Sequence, residues 1–198
     1  MEQANYNPEI PANKHNVIGL EKGKLPPQAV DLEQAVLGAM MIDKKGLDEV
    51  IDILTPQVFY RPEHQAIYAV IQKLFNDSEP IDLLTVSNEL KSEGKLDRVG
   101  GDYYLIQLTQ KVSSSAHVEY YARVIQEKYI LRRLIEISNQ VIEKSYDDTA
   151  DVFDLLDYSE SKLFEITEGG IKRSYSEARD LVTEAIDKIK AQSTKEGM

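Results

Sequence analysis

Cysteine and tryptophan are absent from the 198 residues, and positive charge is in deficit: 23 lysines and arginines stand against 34 aspartates and glutamates. Without cysteine there is no disulfide framework, no thiolate metal site and no cysteine nucleophile. The net charge of −11 divides as 0 over residues 1–30, −6 over 31–116 and −5 over 117–198, so no segment is basic. Phosphate neutralisation needs clustered lysine and arginine. The close basic pairs, Lys44 with Lys45, Arg132 with Arg133 and Lys172 with Arg173, each read as solvated surface, which disfavours direct DNA binding by this chain. No apolar run approaches the roughly 18 residues of a membrane span. The opening MEQANYNPEI has neither the basic nor the apolar region of a secretory signal, and a cytoplasmic protein is expected.

Catalytic signatures are missing too. Gly23-Lys24 and Gly94-Lys95 are each followed by leucine and lack the earlier glycine of a phosphate-binding loop. His15, His64 and His117 lie far apart, and Glu63 and Glu119 beside two of them lack metal-ligand spacing; each histidine is expected at the surface or at a helix cap. The acidic residues Asp147, Asp148, Asp151, Asp154 and Asp157 suit a helix N-terminus better than a cation site. Gly100-Gly101 reads as a turn. No catalytic residue, cofactor or metal is assigned to this chain.

What is present is helix. Residues 118–143 contain no glycine or proline, and at about 100° per residue their apolar face changes sides. Val118, Tyr121, Ala122, Ile125 and Tyr129 lie on one side; Ile130, Leu131, Leu134, Ile135, Ile137, Val141 and Ile142 lie on the other. Arg132, Arg133, Glu136, Gln140 and Glu143 take over the side used first. A helix that buries opposite faces in its two halves has two neighbours, so its second half is expected to project from the domain before it. One continuous core wrapped around both sides is the alternative.

Before this helix, residues 1–24 read as a flexible arm. Asp31 and Gln34 suggest a capping box for a helix buried through Ala35, Val36, Ala39, Met40 and Ile42. Short helices follow after Gly46, at Pro56, from Pro62, from a Thr85 cap, and around Tyr104 and Leu108; no segment alternates with period two for long enough to be a strand. After the long helix, SYDDTA is a turn with Asp148 and Thr149 as candidate caps. The next helix carries Val152, Leu155, Leu156, Leu163 and Ile166 on a stripe flanked by Phe153 and Phe164, and stops at Gly169-Gly170. So short a turn makes the two helices antiparallel. A last amphipathic helix starts at Ser174 and Glu177 and presents Ala178, Leu181, Val182, Ala185, Ile186 and Ile189, a face that suits either folding back or docking on a partner.

The fold class is therefore all-α: a compact multi-helix head (25–116), an antiparallel helical hairpin (117–170) and a separate amphipathic linker helix and tail (171–198). A hairpin with so wide an apolar stripe needs another copy of itself or another protein, and Leu131, Leu134, Ile135, Val141, Leu155, Leu156 and Leu163 are the candidate self-association residues.

Five collinear strings carry a resemblance: LPPQAVDLEQAVLGAMMID, FYRPEHQAIYAVIQKL, PIDLLTV, VGGDYYLIQL and VEYYARVIQEKYILRRLI. Together they resemble the N-terminal domain of the bacterial replicative DNA helicase, the DnaB family, from about Leu25 onward. Ser113 departs from the pattern, because the family usually has proline there. The resemblance implies a collar of a hexameric ATP-dependent helicase, with heads paired through the hairpin and a linker helix docked on a neighbouring subunit. It also implies primase and possibly a helicase loader as partners. An ATPase domain carrying ATP, magnesium and DNA contacts is implied after Met198 and is not in this chain. Two other classes remain: a stand-alone helicase-loading or primosomal adaptor, and a small helical nucleic-acid-binding regulator using residues 85–96.

Overall fold

The computed structural model describes residues 25–111 and 117–167. The expected N-terminal arm, the junction containing Ser113, and the linker helix with Ala178, Leu181, Val182, Ala185, Ile186 and Ile189 lie outside the described residues. Among the described residues every regular element is helical.

The head is built around α1 (Val30–Ile42), whose Val36, Leu37, Gly38, Ala39, Met40 and Met41 are all buried. A helix that is apolar around most of its circumference belongs inside, and α1 packs mainly against α2 (Lys44–Val50), α3 (Pro62–Asn76), α5 (Gly101–Gln110) and α6 (Val118–Ser145). The remaining head helix, α4 (Leu83–Ser92), bridges α3 and α5 and makes a smaller contact with α1. Short 3₁₀ turns at Pro56–Val58 and Asp97–Val99 complete the connections.

Proline starts α3 at its first turn, as the sequence suggests. There the missing N–H is one that a helix leaves unpaired anyway. Three capping expectations differ from the structure. α1 starts one residue earlier than Asp31 and has Ala29 at its N-cap with no side-chain cap, while Gln34 is turned to Tyr104. The α4 cap is Asp82, which accepts from the N–H groups of Leu84 and Thr85, while Thr85 bonds back to the Asp82 N–H. Thr85 is thus the third residue of a reciprocal capping box and not its first. In the second hairpin helix, α7 (residues 152–167), the cap is Asp151, which accepts from Phe153 N–H at 2.8 Å; Asp147 holds the turn by accepting from Thr149.

Gly100 adopts a φ of +100°, and a Cβ there would sit 2.9 Å from the Cβ of Tyr104. Only glycine fits that approach without strain, and it lets α5 start where Tyr104 reaches the core.

The head's apolar cluster extends from Val36 through Leu108 into the first half of α6, taking in Val118, Ala122 and Ile125. Tyr121 and Tyr129 pack against it. Ile137 is buried as well, yet it lies outside that cluster. The long helix therefore serves the head in its first half and a different neighbour in its second.

Candidate self-association surface

That neighbour is α7. The Tyr158 hydroxyl donates to Gln140 Oε1 at 2.7 Å, and the Lys144 ammonium sits 4.8 Å above the Tyr158 ring. Both contacts join the middle of α7 to the last turns of α6, so the two helices run antiparallel around the turn at 146–151.

The observed contacts set the phase of each helix, and at about 100° per residue they fix where the candidate residues point. On α6 the head lies toward Ala122, Ile125, Tyr129 and Arg132, while α7 lies toward Ile137 and Gln140. Leu134 and Val141 then point between α7 and the side opposite the head, and Leu131 completes that side. Ile135 falls on the α6 edge farthest from α7. On α7 the half-buried residues Leu155, Tyr158, Ser159, Lys162 and Ile166 face α6, so Leu155 belongs to the seam inside the hairpin. Leu156 and Leu163 turn to the side opposite the head, together with Val152. Leu131, Leu134, Val141, Val152, Leu156 and Leu163 thus share one flat side spanning both helices. Between them on that side fall Ser138 and Ser145, with no charged residue in the middle. Leu131, Val152, Leu156 and Leu163 are all exposed.

The joint between head and hairpin corrects the reading of Arg132 as a solvated partner of Arg133. Arg132 is half-buried, donates to the carbonyls of Pro27 at 2.8 Å and Val58 at 2.6 Å, and lies over the rings of Tyr60 and Tyr129. Burial pulls its pKa below the ordinary arginine value, opposed by the negative charge of Glu33. Arg133, by contrast, is paired with Glu136 one turn on. The signal was present: Arg132 stands seven residues after Ile125, on the stripe that enters the head.

His64 is a second correction. It is fully buried, not at the surface or a cap. Its Nδ1 lies 2.6 Å from Oε2 of the equally buried Glu33, and its Nε2 lies 2.7 Å from the Tyr104 hydroxyl. Gln34 donates to that hydroxyl at 3.0 Å, and Lys111 donates to Gln34 Oε1. The Glu33 carboxylate accepts from His64 Nδ1, and the Tyr104 hydroxyl, which accepts from Gln34, meets Nε2 on the other side of the ring. The other Glu33 oxygen accepts from Tyr60 N–H at 2.7 Å. Every polar atom of this core network has a partner, as burial requires. His117 is exposed beside the start of α6, as expected.

Among the described residues no group of three or more His, Asp or Glu side chains is placed to hold a metal ion. Of the two lysines in the DNA-reading alternative, Lys95 pairs with Glu93 at 2.6 Å, and the nearby Glu89 and Glu93 also pair with Lys73 of α3. No described helix is long and apolar enough to cross a membrane.

Comparison with known proteins identifies the family. Residues 25–127 match the family described as the DnaB-like helicase N terminal domain. The chain is 42% identical over 171 residues to the replicative DNA helicase DnaB of Rhodothermus marinus, covering 86% of this chain and 18% of that protein. It is 34% identical over 174 residues to the DnaB of Geobacillus stearothermophilus, covering 88% and 38%. The chain therefore spans well under half the length of these relatives. Among solved structures, the crystal structure of the N-terminal domain of DnaB helicase from Mycobacterium tuberculosis superposes with a TM-score of 0.68 at 38% identity, over 71% of this chain and 99% of that one. A DnaB-like replicative helicase, described with its interactions with primase, gives 0.59 at 27% identity over 70% and 31%. More than half of the chain falls inside the family's own boundaries and the solved domain is covered almost end to end, so the chain belongs to the family of DnaB-like helicase N-terminal domains.

Proposed function

We propose that this chain is the collar of a hexameric, ATP-dependent replicative helicase in the cytoplasm, and that its own work is assembly. The hairpin pairs with the hairpin of a second copy through the uncharged side centred on Leu134 and Leu156, with Leu131, Val141 and Leu163 around them; Leu155 and Ile135 support that side from the seam and the edge. The linker helix docks by Ala178, Leu181, Val182, Ala185, Ile186 and Ile189 on the ATPase domain of a neighbouring subunit. ATP, magnesium and DNA are handled by that domain. Primase docks on the collar, in keeping with the primase interactions described for one structural relative, and a loader is a further partner.

The observation that carries the pairing is the split burial of α6. Ile125 is 1% exposed inside the head and Ile137 is 3% exposed outside the head cluster, while Leu131, Val152, Leu156 and Leu163 on the remaining apolar side of the hairpin stay exposed among the described residues. A standard interface covers roughly 1,600 Å² in total, which two hairpins laid side by side can supply. The test compares Ile125→Asp with Leu134→Asp by molar mass in solution and circular dichroism. Ile125→Asp places a carboxylate in the head core and is expected to unfold it. Leu134→Asp is expected to leave a folded monomer. Equal effects of the two substitutions would show that the two halves of α6 do not have separate partners.

A further inference from the structure

A second, chemically different surface lies on the same hairpin. Relative to the residues of α7 that face α6, Phe153 and Phe164 fall on the opposite side of the helix, pointing away from α6 and off the flat side assigned to the second copy. They are 75% and 59% exposed. Eleven residues separate them, three helical turns, so the rings stand about 16 Å apart along one edge. Between them on that edge lie Asp157, four residues after Phe153, and Glu160, four residues before Phe164. Residues 146–167 hold seven acidic residues and one lysine, a net charge of −6, and that lysine, Lys162, is paired with Glu165 at 2.6 Å.

Side-by-side pairing of hairpins leaves this edge uncovered. A second copy placed on the edge itself would bring two segments of −6 together, a like-charge arrangement that costs several kcal/mol at an interface. The geometry points to a partner of the opposite kind: the edge of Phe153, Asp157, Glu160 and Phe164 docks a basic amphipathic helix. Two apolar side chains or clefts of that helix receive the phenylalanines, and lysine or arginine between them meets the two carboxylates. Aromatic anchors at fixed spacing supply the affinity. The carboxylates supply orientation and steer association.

The probe is a synthetic leucine–lysine amphipathic helix, titrated onto the whole 198-residue chain by fluorescence anisotropy, with a leucine–glutamate helix of the same length as its counterpart. The paired substitution Phe153→Ser with Phe164→Ser is expected to weaken leucine–lysine binding by about tenfold or more, a change of roughly 1.4 kcal/mol. Molar mass and helical content should stay the same. Asp157→Asn with Glu160→Gln is expected to weaken binding at low salt and to flatten its decline as salt is added. Three results would overturn the inference: leucine–glutamate binding as tight as leucine–lysine binding, unchanged affinity without the phenylalanines, or a fall in molar mass when they are replaced, since the last means that a second copy covers this edge. Failure of the Leu134→Asp test leaves this result standing, because it concerns the other side of the hairpin.

Discussion

Replacing Arg132 with methionine removes a charge and five N–H donors while keeping the length of the aliphatic stem. If Arg132 were the solvated residue that its place beside Arg133 suggests, the change would stay within about 0.5 kcal/mol. The structure demands more. The Val58 carbonyl belongs to a buried residue, and leaving such an acceptor without its donor costs about 1–3 kcal/mol. Pro27 is half-buried, so water compensates part of its loss. Two cation–π contacts, with Tyr60 and Tyr129, add about 0.5–1 kcal/mol each. The buried Glu33 carboxylate also loses a neighbouring positive charge. Allowing for overlap among these effects, Arg132→Met is expected to destabilise the chain by about 2–4 kcal/mol. For a chain of this size that is roughly a 4–16 °C fall in Tm.

Arg132→Lys is the control. A lysine keeps the charge but presents a single ammonium where two carbonyls are bridged by a planar fork, so it should recover about half of the loss. The assay is thermal and urea unfolding followed by circular dichroism. It is run at one fixed protein concentration, because self-association adds apparent stability by mass action. A loss below about 0.5 kcal/mol in the methionine variant, or a lysine variant equal to wild type, would refute the assignment of Arg132 as the clamp between head and hairpin.

Three further outcomes are expected. His64→Leu leaves the buried Glu33 without its imidazole partner and the half-buried Tyr104 hydroxyl with Gln34 alone, and should cost about 3–5 kcal/mol, read by urea unfolding at neutral pH; an effect below about 0.5 kcal/mol would return His64 to the surface. The Tyr68 hydroxyl lies 2.8 Å from the carbonyls of both Ile51 and Leu54, and burial raises its pKa well above the ordinary tyrosine value. A folded-state pKa above the unfolded one gives stability that is present below about pH 10 and is lost as pH rises further. Tyr68→Phe should therefore flatten the alkaline end of the stability profile while costing about 1 kcal/mol near neutrality. Leu181→Asp should leave the unfolding of this chain nearly unchanged and weaken the ring in a full-length helicase, measured as hexamer content; unfolding of the chain itself would place the last helix in the head's own core.

The order of the helices and the change of face near Tyr129 were legible in the chain itself, and so was the hairpin turn. Each depends on the period at which apolar residues recur, and burial of apolar surface is non-directional, so a pattern along one helix suffices to find its inner side. Polar side chains do not obey that rule. Gln34 was legible as half of a capping box, His64 as a surface residue and Arg132 as half of a solvated pair, because their partners lie far away in the chain. The Gln34 partner, Tyr104, is 70 residues distant, the His64 partners 31 and 40, and the Arg132 carbonyls 105 and 74. A hydrogen bond needs its donor and acceptor within about 3 Å and in line, and only the packed helices bring these groups to that distance. The caps at Asp82 and Asp151 show the same division at short range, where several acceptors competed and the path of the backbone chose one. Sequence alone therefore determined which sides of the helices are apolar and that the hairpin carries more apolar surface than one seam can hide. The tertiary structure decided where the hairpin is clamped, which of its sides is free of charge, and that Phe153 and Phe164 stand apart from that side, because these depend on the phase of one helix against another.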